Sequence, residues 1–233
     1  MKTAGGSEAA KRRAGERAAE EVTDGSVVGL GTGSTTAYAI EAIGEAVADG
    51  LECRGIPTSF QSRRLALEAE IPLTDLDAVS SVDLAIDGAD QAVEGGSHDG
   101  ALIKGGGVAH AREKLVDSTA DRFVVVADPS KLVEALDGAV PLEVLPAAHT
   151  VVADRVRELG GEPTLRDAER KDGPVVTDNG NLVLDCAFGP IDDPATLGDR
   201  LSTLPGVLEH GLFVGMADAT YVGTDDGVDV LEH

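Results

Sequence analysis

Residues 26–40, SVVGLGTGSTTAYAI, decide the fold. A short apolar run, Ser26 to Leu30, meets the polar turn Gly31-Thr32-Gly33-Ser34-Thr35-Thr36. From there STTAYAIEAIGEAVADG (34–50) has helical periodicity and stops at a glycine. Strand, glycine turn and helix together make one half of a parallel β-α-β unit. The same alternation continues on both sides. SEAAKRRAGERAAEEV (7–22) is Ala-rich and charged, which predicts a helix. LECRGIPTS (51–59) predicts a strand and loop, QSRRLALEAE (61–70) a helix, and IPLTDLDAV (71–79) a strand with its loop. VDLAI (82–86) and RFVVVA (122–127) read as buried strands on either side of the helix VAHAREKLVDSTA (108–120). Alternation from residue 7 to about 135 predicts an α/β fold, a doubly wound, mostly parallel Rossmann-like sheet with helices on both faces.

After Pro141 the pattern changes. PLEVLPAAHTVVADRVRELGGEP (141–163) gives a short strand and a helix, and PVVTDNGNLVLDCAF (174–188) gives two β runs around Asn179-Gly180, a hairpin signal. PATLGDRLSTLPGV (194–207) is helical, and the last stretch returns to β and rejoins the main sheet. The expected organisation is a Rossmann-like catalytic unit of residues 1–139 plus 211–233. A smaller α+β unit of ferredoxin-like type spans 140–210.

Composition narrows the class. The chain has 233 residues, 42% of them apolar but only 3% aromatic and none Trp, so its core rests on Val, Leu, Ile and Ala. Net charge is −23, from 42 acidic and 19 basic residues, and only six of the basic ones are Lys. Such a surface repels phosphate backbones and anionic lipid, which argues against nucleic acid or a membrane as partner. It reads as the surface of a protein from a high-salt cytoplasm, where salt screens self-repulsion, or as that of an ordinary acidic cytosolic enzyme. Cys53 and Cys186 stand far apart and fit small buried packing rather than a disulfide framework or zinc site, and the five histidines lack metal spacing. No apolar run approaches the ~18 residues of a membrane span. Met1 to Arg13 lacks the apolar region of a secretory signal. The expected location is the cytoplasm.

In a parallel sheet, ligands bind at the carboxyl ends of the strands. Four polar segments fall there. Thr32, Gly33, Ser34 and Thr35 open a helix and suit a phosphate, whose charge meets backbone amides, hydroxyls and the helix N-terminus. The same residues also make an ordinary tight turn. They are not a Walker A loop, and Ser34 occupies the third glycine position of a dinucleotide fingerprint. Asp87, Gly88, Ala89 and Asp90 place two carboxylates at the end of a buried strand, either as turn and cap residues or to bind polyol hydroxyls and move protons between oxygens. Lys104, Gly105, Gly106 and Gly107 form either a hinge or a cradle for a developing oxyanion. Lys131 follows a strong strand and is either a phosphate clamp or surface charge. Glu113, between Arg112 and Lys114, is either a base or solvated charge. His110 reads as incidental, and Tyr38 and Met216 as filler.

GLGTGST, DGAD, LIKGGG with REK, and ADPSK, in this order and spacing, resemble ribose-5-phosphate isomerase, type A. PTSFQSRRLALEAEIPL, PLEVLP and VVTDNGNLVLD fit the same family, so the resemblance runs from about residue 7 to the C-terminus. It implies interconversion of ribose 5-phosphate and ribulose 5-phosphate, a step of the non-oxidative pentose phosphate pathway, without metal or organic cofactor. It implies a homodimer or homotetramer. By motif, Thr32 to Thr35, Asp87 to Asp90, Lys104 to Gly107 and Lys131 bind the sugar phosphate, and Lys11 falls where a family lysine helps hold phosphate. Glu113 is the expected proton-shuttling base, and Lys104 with the glycine amides the expected stabiliser of enediolate oxygens. Asp87 is expected to assist ring opening and oxygen proton transfer, and Asp90 to orient a hydroxyl and Lys104. Gln91 departs from the usual DGADE. A rival reading is a non-catalytic sugar-phosphate sensor on a related fold, though the chain shows no basic patch for DNA. An amino-sugar phosphate isomerase is a second rival.

Overall fold

The computed structural model describes residues 6–233, so residues 1–5, part of the segment read for a signal, lie outside the described residues. The central sheet contains β1 (Val27–Leu30), β2 (Arg54–Pro57), β3 (Leu84–Gly88), β6 (Phe123–Ala127), β13 (Ala219–Gly223) and β14 (Val228–Glu232), in the order β14-β13-β6-β3-β1-β2. Every neighbouring pair is parallel except β13 with β14. The inner strands β1, β6 and β13 are buried along their whole length, which is why they read as continuous apolar runs.

Alternate residues of the strands face opposite layers. Val28, Leu30, Ile86, Val124 and Val126 pack under the helices α1 (Glu8–Ala19), α2 (Ser34–Ala48) and α3 (Phe60–Glu68). Val27 and Val82 meet Val116 of α4 (His110–Asp117) on the other face. That second face is completed by a sheet the sequence did not disclose. Here β4 (Gln91–Val93), β5 (Leu102–Ile103), β7 (Leu132–Val133) and β12 (Leu212–Phe213) run in the order β12-β5-β4-β7. Ala92, Leu102 and Phe213 of this sheet cover Ala85, Phe123 and Val125. Helices therefore lie on both faces, α1, α2 and α3 on one and α4 on the other, where the small sheet completes the cover.

Residues 140–210 contain β8 (Val140–Val144), α5 (His149–Glu158), β9 (Glu162–Leu165), β10 (Leu182–Ala187), α6 (Pro194–Ser202) and β11 (Val207–His210). Their antiparallel order β11-β8-β10-β9 is the ferredoxin-like arrangement. Its core of Leu142, Val144, Val156, Leu184 and Leu201 is continuous with Val93 and Ile103 from the adjoining small sheet and with Leu136 from the segment after β7.

Two local expectations fail. Residues 71–79 make a single bridge, Gly55 with Leu73, and then a short 3-10 turn at Leu76–Ala78 rather than a strand. The expected hairpin at 174–188 is reduced to one bridge, Val176 with Leu182, and the ladder partners of β10 are β8 and β9. The reason is local. The side chains of Thr177, Asn179 and Asn181 all donate to Oε1 of the buried Glu143, at 2.8–2.9 Å, and bend the chain out of a ladder.

Candidate active site

The chain leaves β1 outward to β2, then returns to the opposite side of β1 for β3. The two connections part at this switch point and leave a crevice beyond the carboxyl ends of the strands. A pocket lies there, lined by Lys11, Thr32, Gly33, Ser34, Thr35, Thr36, Gly88, Ala89, Asp90, Lys104, Gly105, Gly106, Gly107, Glu113, Val126 and Lys131. Every site residue expected from sequence is among them except Asp87, which lies fully buried against Lys104.

One part of the lining is built for an anion. Gly33, at φ +143°, caps α2, and the first turn of that helix holds Ser34 and Thr35 and no acidic residue in a chain that has 42 of them. Its free amides and helix dipole favour negative charge. Lys11 of α1 and Lys131 of the turn Pro129–Lys131 line the same pocket. Lys11 also stands 3.6 Å from Glu8.

The buried part is a charge cluster. Asp87 Oδ1 accepts from the Thr32 amide at 3.0 Å and from its neighbour Gly88 at 2.7 Å. Asp87 Oδ2 lies 2.9 Å from Lys104 Nζ, which donates to the Gly88 carbonyl at 2.5 Å and stands 3.4 Å from Glu113 Oε2. Lys104 is only 2% exposed. A carboxylate about 3 Å away is worth roughly 5 kcal/mol at an effective dielectric of about 20. Burial works against the Lys104 ammonium, but Asp87, Glu113 and Asp117 together outweigh it and raise its pKa. Glu113 moves the other way from an ordinary acid. Burial, then the negative charge of Asp87, pushes it up to about 8, and Lys104 restrains the rise only in part. Burial also raises Asp87, although Lys104 and two amides oppose it. Several carboxylates around one ammonium cannot all be ionised, and the negative charge settles best on Asp87, which has the most donors. Gly31 belongs to this design, because a Cβ there would come within 2.1 Å of the Asp87 carboxyl carbon.

Asp90 departs from expectation. Its Oδ2 accepts from the Gly106 amide at 2.6 Å, so it holds the glycine loop, whereas the partners of the Lys104 ammonium are Asp87, Gly88 and Glu113. The Gly106 amide is therefore engaged rather than free for an oxyanion. Gly105, at φ +108°, packs against His110, where a Cβ would meet Nδ1 at 2.8 Å. His110 is fully buried and its pKa is pushed down to about 3, mainly by burial, so its ring is neutral. It serves as packing under the loop. Gln91 has a local reason too. Its amide donates to Asp137 at 2.6 Å while its oxygen accepts from the Asp137 and Gly138 amides, and a glutamate could not donate to that carboxylate.

Sequence reasoning missed several groups. Asp117, one turn beyond Glu113 on α4, is 3% exposed and its Oδ2 has no hydrogen-bond partner among the described residues. The i, i+4 spacing from Glu113 was the available signal. Thr32 Oγ1 lies 3.0 Å from Thr58 and donates to Ser59 at 2.7 Å, tying the phosphate-type loop to the start of α3. Thr36 and Val126 complete the wall. Arg166, from the ferredoxin-like unit, reaches the glycine loop at Gly105. Cys53 and Cys186 are buried and unpaired, as the packing reading held. Among the described residues no helix is long and apolar enough to cross a membrane.

The family described as Ribose 5-phosphate isomerase A (phosphoriboisomerase A) matches residues 54–227. Ribose-5-phosphate isomerase A of Halorubrum lacusprofundi is 67% identical, over 99% of this chain and 99% of that protein. Its counterpart in Natronomonas pharaonis is 66% identical, over 99% and 100%. Among solved structures, ribose 5-phosphate isomerase A from Methanocaldococcus jannaschii superposes with a TM-score of 0.91 at 44% identity, covering 96% of this chain and 98% of that one. A D-ribose-5-phosphate isomerase in complex with phospho-erythronic acid gives 0.94 at 41% identity, covering 98% and 100%. With the α/β fold, the switch-point crevice and these likenesses in agreement, the chain belongs to the ribose 5-phosphate isomerase A family.

Proposed function

We infer that the chain reversibly converts D-ribose 5-phosphate to D-ribulose 5-phosphate through an enediolate. The observation that carries this reading is the buried Glu113–Lys104–Asp87 cluster, which opens into a pocket whose lining also holds an acid-free helix N-terminus and two further lysines. Glu113, once ionised, takes the proton from C2 of the open-chain aldose and returns it to C1. Its pKa of about 8 suits a base near neutrality. As C2 loses its proton, negative charge grows on O1, where the Lys104 ammonium stabilises it. The hydroxyl proton of O2 is passed to O1 through Asp87, which also assists opening of the ring. Asp90 orients a sugar hydroxyl while it holds Gly106. Thr32 to Thr35, Lys11 and Lys131 hold the phosphate, and that remote binding energy fixes the reacting carbons against Glu113.

We assign this chemistry to a Rossmann-like unit of residues 1–139 plus 211–233, with 140–210 as the smaller unit. We also assign it to a cytoplasmic homodimer or homotetramer. The exposed Leu115 and Leu208, which line one surface concavity, support self-association.

The test is turnover of ribose 5-phosphate in molar KCl with chelator, wild type beside Glu113→Gln. The expected result is turnover by wild type and a loss of about 10²–10⁴-fold in kcat for the variant, the range of a general base, with substrate still bound. Binding without turnover by wild type would replace the isomerase by the sensor reading.

A further inference from the structure

The side chain of Arg166 crosses from the end of β9 to the glycine loop of the site. Its Nε donates to Asp185 Oδ2 at 2.8 Å and its Nη2 donates to Asp185 Oδ1, so a carboxylate of β10 grips the guanidinium with both oxygens. The remaining nitrogen, Nη1, donates to the Gly105 carbonyl at 2.9 Å and to the Gly106 carbonyl at 3.5 Å. The backbone of Arg166 is itself held from two sides, its amide by Val183 and its carbonyl by Val175. Asp185 is 21% and Arg166 13% exposed, and the pairing neutralises the cation. Its contribution to the site is therefore direction rather than net charge.

Direction matters because a trans peptide points its C=O and N–H opposite ways, and the described chain has no cis peptide. The Gly105–Gly106 peptide is clamped across that axis, its oxygen by Arg166 and its N–H by Asp90 at 2.6 Å. The Gly106–Gly107 peptide has its oxygen turned to Arg166 as well, and its N–H, that of Gly107, is directed away from Arg166. Glycine peptides rotate freely, and a flip of either would bring a carbonyl oxygen toward the pocket, where negative charge develops. It would also take the Gly106 donor from Asp90.

We propose that Arg166 is a positioning residue for the isomerisation: acting from the ferredoxin-like unit, it fixes the two glycine peptides so that Asp90 is held in register and no carbonyl oxygen opposes the enediolate. This rests on the reading of the Lys104–Gly107 loop as the oxyanion side of an isomerase site. It gives the small unit a part in the chemistry, through one side chain.

The test compares wild type, Arg166→Met, Arg166→Lys and Asp185→Asn in molar KCl. Each is measured for kcat and KM with ribose 5-phosphate, for affinity toward phospho-erythronic acid, and for Tm. Loss of one oxyanion donor costs about 10²–10³ in kcat, and misplacement of the loop should cost Arg166→Met about 10–100-fold. KM should stay within about threefold, because the phosphate contacts lie on other segments. Arg166→Lys keeps one donor without the fork and should fall between. Asp185→Asn keeps the guanidinium but loosens its grip, should lose less than Arg166→Met, and serves if that variant does not fold. Analogue affinity should fall in step with kcat/KM. Unchanged kcat in folded variants, or a fall in Tm with kcat intact, would overturn the proposal and leave Arg166 as a strut between units. Wild type that binds without turnover would instead sink the isomerase reading itself.

Discussion

Asp117 shows how the cluster distributes charge. It is buried one turn below Glu113, and burial, then the charges of Asp87 and Glu113, raises its pKa well above the ordinary carboxylate value despite Lys104. In the unfolded chain an aspartate ionises at about 3.9. In the folded protein Asp117 keeps its proton to much higher pH. Its contribution to stability is intact below the unfolded pKa and is lost progressively as pH rises from there toward the folded value. An asparagine has the same shape and no proton to lose. Asp117→Asn should therefore raise Tm relative to wild type, with a gain that grows between pH 5.5 and pH 8. Thermal unfolding in molar KCl at several pH values measures it. A gain independent of pH, or a loss at pH 8, would mean that Asp117 is ionised and held by Lys104.

At the scale of elements, α3 connects packing to the site. Ser59 caps it, accepting from the Ser62 amide at 3.1 Å in a reciprocal capping box, and the same hydroxyl accepts from Thr32 at 2.7 Å. An N-cap serine is worth about 1 kcal/mol. Ser59→Ala should lower Tm by about 2–4 °C in a chain of this length, and should raise KM for ribose 5-phosphate more than it lowers kcat, because Thr32 loses its anchor. A change in kcat alone would place Thr32 away from the phosphate. Elements differ in how well the sequence discloses them, for physical reasons. β1 and β6 are apolar runs of four and five residues, β3 opens with Leu84-Ala85-Ile86 and ends in the site residues Asp87 and Gly88, and the turn after β1 holds more of the site, so sheet and pocket were legible together. The strands β5, β7 and β12 have two residues each, too short for any periodicity, and they form only because the long strands give them a surface to cover. Asp90 was legible as a site residue, but its partner was not, since the Gly106 amide lies 16 residues on, beyond β4 and β5. Arg166 lies 61 residues from Gly105, with nothing in its neighbours to signal the contact.

The whole molecule poses an electrostatic problem that no single site solves. The chain carries 23 more acidic than basic residues, yet it must stay folded and, as an isomerase, admit a phosphate dianion. Self-repulsion among exposed charges acts over a Debye length, about 10 Å at 0.1 M salt and about 3 Å at 1 M. The groups that meet the substrate are sheltered differently: Lys104 is buried, and the amides at the start of α2 belong to the backbone. Salt should thus weaken the repulsion far more than it weakens the local attraction. Raising KCl from 0.1 M to 1 M should increase Tm steeply and lower KM for ribose 5-phosphate, with most of both changes complete once the Debye length falls below the spacing of surface charges. Beyond that point a further rise in Tm reflects strengthened burial of apolar surface, and sulfate should exceed chloride there. The two contributions separate in one titration of Tm and KM against KCl and potassium sulfate at matched ionic strength. A Tm that is flat between 0.1 M and 1 M would show that the acidic surface is not self-repelling. A KM that rises throughout would show that the half-buried Lys11 and Lys131, rather than the backbone of α2 and buried Lys104, supply the attraction for the substrate.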